Sequence, residues 1–330
     1  MVNNNNILLV GGEGYIGQVT SSILINKNYS IVSYDNLIYD HNPIRNIYTK
    51  EQYRLINGDI RKIENEKILF SNIGTVVIFA GLVGDPITKK YPALSYDINY
   101  QGIKSVIDKS IKNGIKKIIF ISTCSNYGIV NQDELADEKY ILNPLSSYSK
   151  SKVAIEEYIL SLKGKVDSNI TILRFATAFG LSSRMRFDLT VNEFVKDIYF
   201  NNDLKIYDAD TWRPYCHIKD FANIIERVIC ADEKTVSFQV FNAGSQKNNY
   251  TKRMIVAKIL KYYDSKKLEF IERKDSDRRD YKVSFNKLEN VLGYTCEYTI
   301  SDGIVEILDY LKKTNIKNNI NLGNYVIDEK

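Results

Sequence analysis

The stretch Asn6-Ile7-Leu8-Leu9-Val10-Gly11-Gly12-Glu13-Gly14-Tyr15-Ile16-Gly17 decides the fold of this 330-residue chain. The apolar run Ile7 to Val10 reads as a buried parallel strand. It meets glycines at positions 11, 14 and 17, after which Tyr15-Ile16 and Val19 to Ile25 carry apolar residues at helical spacing. A glycine turn that ends a strand and opens a helix brings backbone N–H groups and the positive end of a helix dipole to one point, an anion site. Glycines alone say little, since many strand–helix turns need them for steric reasons. Placement raises this one: it follows the first strand, and an acid follows at the right distance.

That acid is Asp35. Ser30-Ile31-Val32-Ser33-Tyr34 reads as a second strand, and Asp35 ends it about twenty residues past the turn, where a dinucleotide fold places the carboxylate that holds the adenosine ribose. A carboxylate there repels a 2′-phosphate, and Asn36-Leu37 rather than an arginine follows it. The expected cofactor is NAD, not NADP, with Gly11, Gly14, Tyr15, Ile16, Gly17, Asp35 and Asn36 around it.

Composition narrows the function classes. Lys and Arg total 45 against 40 Asp and Glu, a net charge of +5 that is scattered along the chain. No basic block interleaved with aromatics points to nucleic acid, and a mild basic bias suits an anionic small substrate. The cysteines (Cys124, Cys216, Cys230, Cys296) lack metal-ligand spacing, and their isolation points to a reducing compartment. Two histidines leave no room for His-rich metal chemistry. No apolar run reaches membrane-spanning length, and Met1 to Asn5 does not resemble a signal peptide. A cytoplasmic protein with no metal, nucleic-acid or membrane partner is expected.

The first half alternates strands and helices. Strands are expected at Gln52–Ile56, Thr75–Phe79, Lys117–Ile121 and Ile170–Phe175. Helices are expected at Ile63–Phe70, at Tyr91–Asn113 as one long amphipathic element capped by Gly114, and at Ser147–Leu162. Nearly continuous apolar strands mean a sheet covered on both faces, so the fold class is α/β, a Rossmann-type doubly wound parallel sheet. From Gly180 the elements shorten. A smaller mixed lobe is expected over 179–330, beside a dinucleotide domain at 1–178, with exchange of elements between them allowed.

Tyr148-Ser149-Lys150-Ser151-Lys152 puts Tyr148 and Lys152 on one helix face at i, i+4. A tyrosine with pKa near ~10 is a poor base at neutral pH, and a nearby ammonium favours its phenolate. Such a pair can take a proton from a sugar hydroxyl while a nicotinamide takes hydride from the same carbon. Thr123, at the C-terminal end of the fifth strand, stands where open α/β sheets bind ligands and can hydrogen-bond the reacting oxygen. In a chain with 24 tyrosines a lone Tyr-x-x-x-Lys is a frequent accident. Coupled to the glycine turn, Thr123 and Ser146-Ser147, it is a site.

With these residues in place the chain resembles the extended short-chain dehydrogenase/reductase family, in its NAD-dependent sugar-nucleotide epimerase/dehydratase branch, over nearly its whole length. The matching pieces are the glycine turn, Tyr34-Asp35-Asn36-Leu37, Gly58-Asp59-Ile60-Arg61, Phe79-Ala80-Gly81-Leu82, Asp97-Ile98-Asn99, Ser122-Thr123 with Tyr127-Gly128, and Tyr148 with Lys152. The resemblance implies that Asp59 and Ile60 flank adenine and that Phe79, Ala80 and Gly81 line the cofactor. Asn99 would support the long helix beside the cofactor, and Lys152 would also hold the nicotinamide ribose. It also implies a homodimer packed through the 91–113 and 147–162 helices. Trp212 to Asp220 resembles the family's Arg-Asp-Tyr-Ile-His-Val segment, which makes Arg213 a diphosphate ligand. Asp277-Arg278-Arg279-Asp280-Tyr281 stands near its Arg-x-Gly-Asp segment with the arginines shifted, leaving Arg279 as a phosphate or ribose contact. Thr177 replaces an asparagine of galactose epimerases. Arg184 and Arg186 lie on a loop that could close over the sugar, and Asn192 is a further diphosphate contact.

The residues after Thr123 select among reactions. The family's 4,6-dehydratases carry Asp-Glu there, whereas this chain has Cys124-Ser125, so elimination is not expected. The family's 3,5-epimerases place a cysteine where Ser125 stands, one residue from Cys124, which reads as a packing residue. What remains is oxidation at C4 of a nucleotide-activated hexose or heptose through a 4-keto sugar, by a 4-dehydrogenase or 4-epimerase of surface-polysaccharide synthesis. UDP-glucose 4-epimerase proper and a non-catalytic NAD-sensing protein on the same fold are the alternatives.

Overall fold

The computed structural model describes residues 5–39, 46–66, 68–265, 267–272, 279–314, 322–325 and 327. The first half runs β1 (Asn6–Val10), α1 (Tyr15–Asn26), β2 (Ser30–Asp35), β3 (Tyr53–Asn57), β4 (Thr75–Ile78), α2 (Asp85–Lys90), α3 (Pro92–Tyr96), α4 (Ile103–Lys112), β5 (Lys117–Thr123), α5 (Ser147–Ser161) and β6 (Asn169–Phe175). There follow β7 (Thr177–Phe179), α6 (Thr190–Tyr199), β8 (Leu204–Tyr207), β9 (Trp212–His217), α7 (Ile218–Cys230), α8 (Glu233–Val236) and β10 (Val240–Ala243). The chain continues through β11 (Asn249–Thr251), α9 (Lys252–Ile259), β12 (Leu268–Ile271), α10 (Asn286–Leu292) and α11 (Ile300–Thr314).

Seven parallel strands form the central sheet in the order β10-β6-β5-β4-β1-β2-β3. Alternation along each strand feeds two cores. Ile7 and Leu9 of β1 and Ile119 and Ile121 of β5 face one side, while Leu8, Val10, Ile118 and Phe120 face the other. Both faces exclude water, which is why these strands are apolar throughout. The order reverses between β1 and β4, so a crevice opens at the carboxyl ends of those strands, the place where such sheets bind ligands. β10 completes the sheet from the second half of the chain, and α7 packs against α1. The remaining strands form a three-stranded sheet, β11-β9-β7, and the pair β12-β8.

Two expected helices differ. In place of an α-helix at Ile63–Phe70, a 3-10 segment spans Ile60–Asn65, with the Asp59 carboxylate accepting the Arg61 N–H at 2.8 Å. Apolar residues three apart, Ile60 and Ile63, suit a 3-10 turn as well as an α-helix. The element expected at Tyr91–Asn113 begins at Pro92 and is interrupted by a π-helical turn over Asp97–Gly102. Asn99 in that turn is fully buried, accepting the Leu82 N–H at 2.7 Å and donating to the Leu82 carbonyl at 3.0 Å. Such single-turn insertions let a helix side chain meet a neighbour out of the 3.6-residue phase.

The cysteines, far apart in sequence, are not all isolated in space. The Cys216 and Cys296 sulfurs lie 3.9 Å apart, near Asp220. Asp220 is spent on structure, accepting from Tyr294 Oη at 2.7 Å and from the N–H groups of Glu297 and Tyr298 at 2.9 and 3.1 Å. Among the described residues no helix is long and apolar enough to cross a membrane.

Candidate active site

A cavity of about 810 Å³ runs along the carboxyl ends of the central strands, from the glycine turn past Thr123, Tyr148 and Lys152 to Arg213 and Arg279. The turn is shaped by what its glycines exclude. Gly11 has φ +81°, and a Cβ there would stand 2.6 Å from the Ala80 backbone nitrogen; one on Gly17 would stand 2.5 Å from the Gly12 carbonyl oxygen. Gly11 lets the chain leaving β4 close up against the turn, and Gly17 lets α1 do the same from the other side. Gly14 is different: a Cβ would meet only the Gly11 oxygen, at 3.3 Å, and the cavity lies beyond. Its backbone is thus bare toward the space in front of the α1 N-terminus, as a bound phosphate requires. The Asp35 carboxylate accepts the Glu13 N–H at 3.0 Å and the Leu37 N–H at 2.8 Å. Burial raises its pKa to about 6, against the pull of the Leu37 N–H and the Arg184 charge.

The residues expected to be catalytic, Tyr148 and Lys152, stand on α5. Ser146 and Ser149 form a capping box, each side chain bonded to the other's N–H at 3.2 Å, which fixes the first turn carrying Tyr148. One turn on, Lys152 is 2% exposed, and its Nζ donates to the Ile121 carbonyl at 2.8 Å. It sits 4.7 Å from the Phe120 ring centre and 5.8 Å from that of Tyr148. Burial lowers its pKa to about 7, opposed by the Glu156 carboxylate. Glu156, one further turn along the same face, is itself buried against Arg174, whose Nε donates to Oε1 at 3.2 Å and whose Nη2 donates to Oε2 at 2.6 Å. Ser122 and Asn126 also donate to it, Asn126 at 2.8 Å. Thr123 closes the group, its hydroxyl donating to Ser125 Oγ at 3.0 Å and accepting the Ser125 N–H at 3.1 Å. A half-buried phenol, a buried amine and a strand-end hydroxyl on one cavity wall can exchange a proton with a substrate hydroxyl.

A sequence model of the NAD dependent epimerase/dehydratase family matches residues 7–244, from β1 through Thr123, Tyr148 and Lys152 to β10. The chain belongs to that family. It is 27% identical over 314 residues to a putative UDP-glucose 4-epimerase of Methanocaldococcus jannaschii, covering 94% of this chain and 99% of that one. Among solved structures it resembles Thermotoga maritima UDP-glucose 4-epimerase with UDP-glucose (TM-score 0.84, 24% identity, 94% and 100% of the two chains). It also resembles Bacillus anthracis dTDP-glucose 4,6-dehydratase in complex with NAD (TM-score 0.81, 23% identity, 94% and 97%). The protein is an NAD-dependent enzyme of the extended short-chain dehydrogenase/reductase type, and the bare backbone at Gly14 and the Asp35 carboxylate fit the cofactor.

Of the expected cofactor residues, Gly11, Gly14, Tyr15, Ile16, Gly17, Asp35, Asn36, Asp59, Ile60, Phe79, Ala80 and Gly81 line the enzyme's cavity. Asn99 does not; it pins Leu82 from behind. Burial raises the Asp59 carboxyl, but Arg61 and Asn36 hold it below the usual carboxylate range. Among the expected substrate residues, Thr177, Arg213 and Arg279 line the cavity, whereas Asn192 is fully buried and donates to Tyr15 Oη and the Arg186 carbonyl, both at 2.9 Å. A diphosphate contact from Asn192 is therefore replaced by a structural one. Arg186 is held by Asp188 through two bonds, of 3.0 and 2.6 Å. Arg184, expected against the sugar, lies over the Tyr39 ring within the field of Asp35. Asp277 and Arg278 fall outside the described residues. Unforeseen wall residues are Tyr39, Ser125, Lys252 and Tyr281, whose hydroxyl donates to Ser125 Oγ at 3.4 Å. Ser125 and Tyr281 lie within segments that the sequence singles out for other residues; Tyr39 and Lys252 carry no local signal.

Proposed function

We propose that the enzyme oxidises C4 of a nucleotide-activated hexose or heptose to a 4-keto sugar and then returns the hydride to the opposite face, as a nucleotide-sugar 4-epimerase. The observation that carries this reading is the buried Lys152 amine beside Tyr148, on the cavity wall that Thr123 shares. Lys152, while charged, favours the Tyr148 phenolate, which takes the C4 hydroxyl proton. Thr123 Oγ1 is placed to hold the same oxygen. NAD, when bound, supplies the hydride acceptor. On return, Tyr148 gives the proton back to the C4 oxygen, and the pair is reset.

The far end of the cavity suits a nucleoside diphosphate. Arg213 donates to the Trp212 carbonyl at 2.8 Å and to the Arg279 carbonyl, and its guanidinium lies 5.0 Å from the Tyr281 ring centre. It is thereby held rigid with its remaining N–H groups available to phosphate oxygens. That the relatives are named UDP-sugar 4-epimerases favours a UDP-sugar as substrate. Ser125 beside Thr123, where a dehydratase needs an acid, favours C4 chemistry over elimination. The setting that fits such a substrate is surface-polysaccharide synthesis in the cytoplasm. A homodimer through the 91–113 and 147–162 helices would cover Tyr96 and Leu160, which are 52% and 41% exposed.

The test is product analysis by NMR after incubation of the enzyme and NAD with a panel of sugar nucleotides. Inversion at C4 is expected. A stable 4-keto product with stoichiometric NADH would make it a 4-dehydrogenase. NAD binding with no reaction on any sugar nucleotide would overturn the catalytic reading in favour of an NAD-sensing protein.

A further inference from the structure

We propose that Arg184 is a cofactor residue, its guanidinium binding the diphosphate of NAD from a loop of the second half of the chain. The inference rests on NAD as the cofactor and adds a side-chain cation to a site otherwise built from backbone N–H groups. Position comes first. Ser182 Oγ donates to the Tyr15 carbonyl at 2.8 Å and accepts the Arg184 N–H at 3.2 Å, while Ser183 Oγ donates to Gln18 Oε1 at 3.2 Å. These bonds fasten the loop to the first turns of α1, so Arg184 enters the cavity beside the helix N-terminus that faces an anion.

The second observation is a donor without an acceptor. Arg184 is 4% exposed, packs 5.0 Å from the Tyr39 ring centre, and leaves its Nη2 buried with no hydrogen-bond partner among the described residues. A buried charged donor in that state is unfavourable unless a ligand completes it.

The third is charge. Arg186 already occupies Asp188 with both arms of its fork. Asp35, which with Asp188 attracts Arg184 among the described carboxylates, holds the Glu13 and Leu37 N–H groups and stands where the adenosine ribose hydroxyls bind. Burial and the nearby Arg186 lower the Arg184 pKa to about 10, so it stays charged at neutral pH. A planar fork beside a glycine turn matches two oxygens of a diphosphate, whereas Asp35 repels a phosphate on the ribose 2′ position.

The test is calorimetric titration of protein stripped of nucleotide, wild type and Arg184→Met, with NAD, ADP-ribose, adenosine and NADP. Loss of charge-assisted bonds to phosphate predicts roughly tenfold to hundredfold weaker binding of NAD and ADP-ribose. Adenosine, which lacks the diphosphate, should change less than twofold. If Arg184→Met does not fold, Arg184→Lys carries the comparison, with roughly a three- to tenfold loss for NAD and none for adenosine. NAD and ADP-ribose affinities within twofold of wild type would overturn the proposal. So would a loss confined to NADP, which would put the guanidinium at the 2′ position, or a loss confined to sugar nucleotides. Wild-type protein that binds no NAD would overturn the cofactor itself, and with it this inference.

Discussion

Replacing Lys152 by methionine should make the protein more stable at low pH and catalytically dead. The side chain is 2% exposed, and its pKa is lowered from 10.5 to about 7. The unfolded chain therefore keeps its proton to about pH 10.5, while the folded protein releases it near pH 7. Below pH 7 both states are protonated, and the folded state bears the full cost of a buried ammonium, roughly 5 kcal/mol. As pH climbs from about 7 to about 10.5, the neutral amine relieves that cost and wild-type stability rises. Methionine has similar length and no charge, but it abandons the Ile121 carbonyl that Nζ bonds at 2.8 Å, a loss of about 1–3 kcal/mol. The balance at pH 6 is a gain of about 3 kcal/mol, or roughly 4 °C in Tm for a chain of this length. At pH 10.5 the order should reverse, with the variant about 1–2 kcal/mol the weaker. Thermal melts of both proteins at the two pH values, with turnover measured alongside, check this. A variant less stable than wild type at pH 6, or a Tm difference that ignores pH, would refute the picture of a strained, function-serving charge.

Tyr148→Phe should leave NAD affinity within twofold and remove turnover by at least 10²-fold, the usual scale of a lost acid–base group; ordinary activity would dismiss Tyr148 as the base. Because the Asp35 pKa is raised to about 6, its carboxylate is lost as pH falls through that value, and NAD affinity should drop by up to about tenfold from pH 7 to pH 5. In Asp35→Asn that dependence should flatten, and an unchanged titration would separate Asp35 from the ribose. Glu156→Gln leaves Arg174 buried without its carboxylate, which should cost roughly 3–5 kcal/mol in chemical denaturation. It should also move the alkaline limb of the kcat/KM profile to lower pH, because Glu156 is what holds the Lys152 pKa up. Asn192→Ala removes the donor to Tyr15 Oη and the acceptor for the Gly180 N–H at 3.2 Å, so it should weaken NAD and sugar-nucleotide binding together; loss of one alone would show that the two halves of the cleft are independent.

Much of the fold is legible because its cause is local. Strands buried on both faces are held to unbroken apolar runs, as at Ile7–Val10 of β1, Val76–Ile78 of β4 and Ile118–Ile121 of β5. The glycine turn is legible because a Cβ is forbidden at Gly11 and Gly17, and the Tyr148–Lys152 pair because helix geometry makes i and i+4 neighbours. Legibility ends where contacts decide. Ile60 and Ile63 fit either of two helix types, and only the docking of Gly102, where a Cβ would lie 2.8 Å from Ile60, shows how closely the long helix passes. The π-helical turn at Asn99 leaves the apolar period nearly intact and is set by a hydrogen-bond pair to Leu82. β7, β9 and β11 are too short and too polar to announce themselves; they exist because they pair with one another.

The loop after β7 shows why the substrate half was harder to read than the cofactor half. From sequence, Arg184, Arg186 and Asn192 are three polar residues near an anionic ligand, and nothing local ranks them. In the structure Tyr15, from the glycine turn, donates its hydroxyl to the Gly180 carbonyl at 2.6 Å and accepts from Asn192, which in turn holds the Arg186 carbonyl. Burial raises the Tyr15 pKa, so the phenol remains a neutral donor at every pH at which the protein works. One side chain of the dinucleotide turn thus fixes the path of a loop that begins the second half of the chain. That path, rather than the residue types, decides which arginine meets Asp188 and which is left with an open fork beside Asp35. Cofactor and substrate residues are therefore not divided at a point in the sequence: the cofactor turn positions the loop, and the loop hands a cation back to the cofactor.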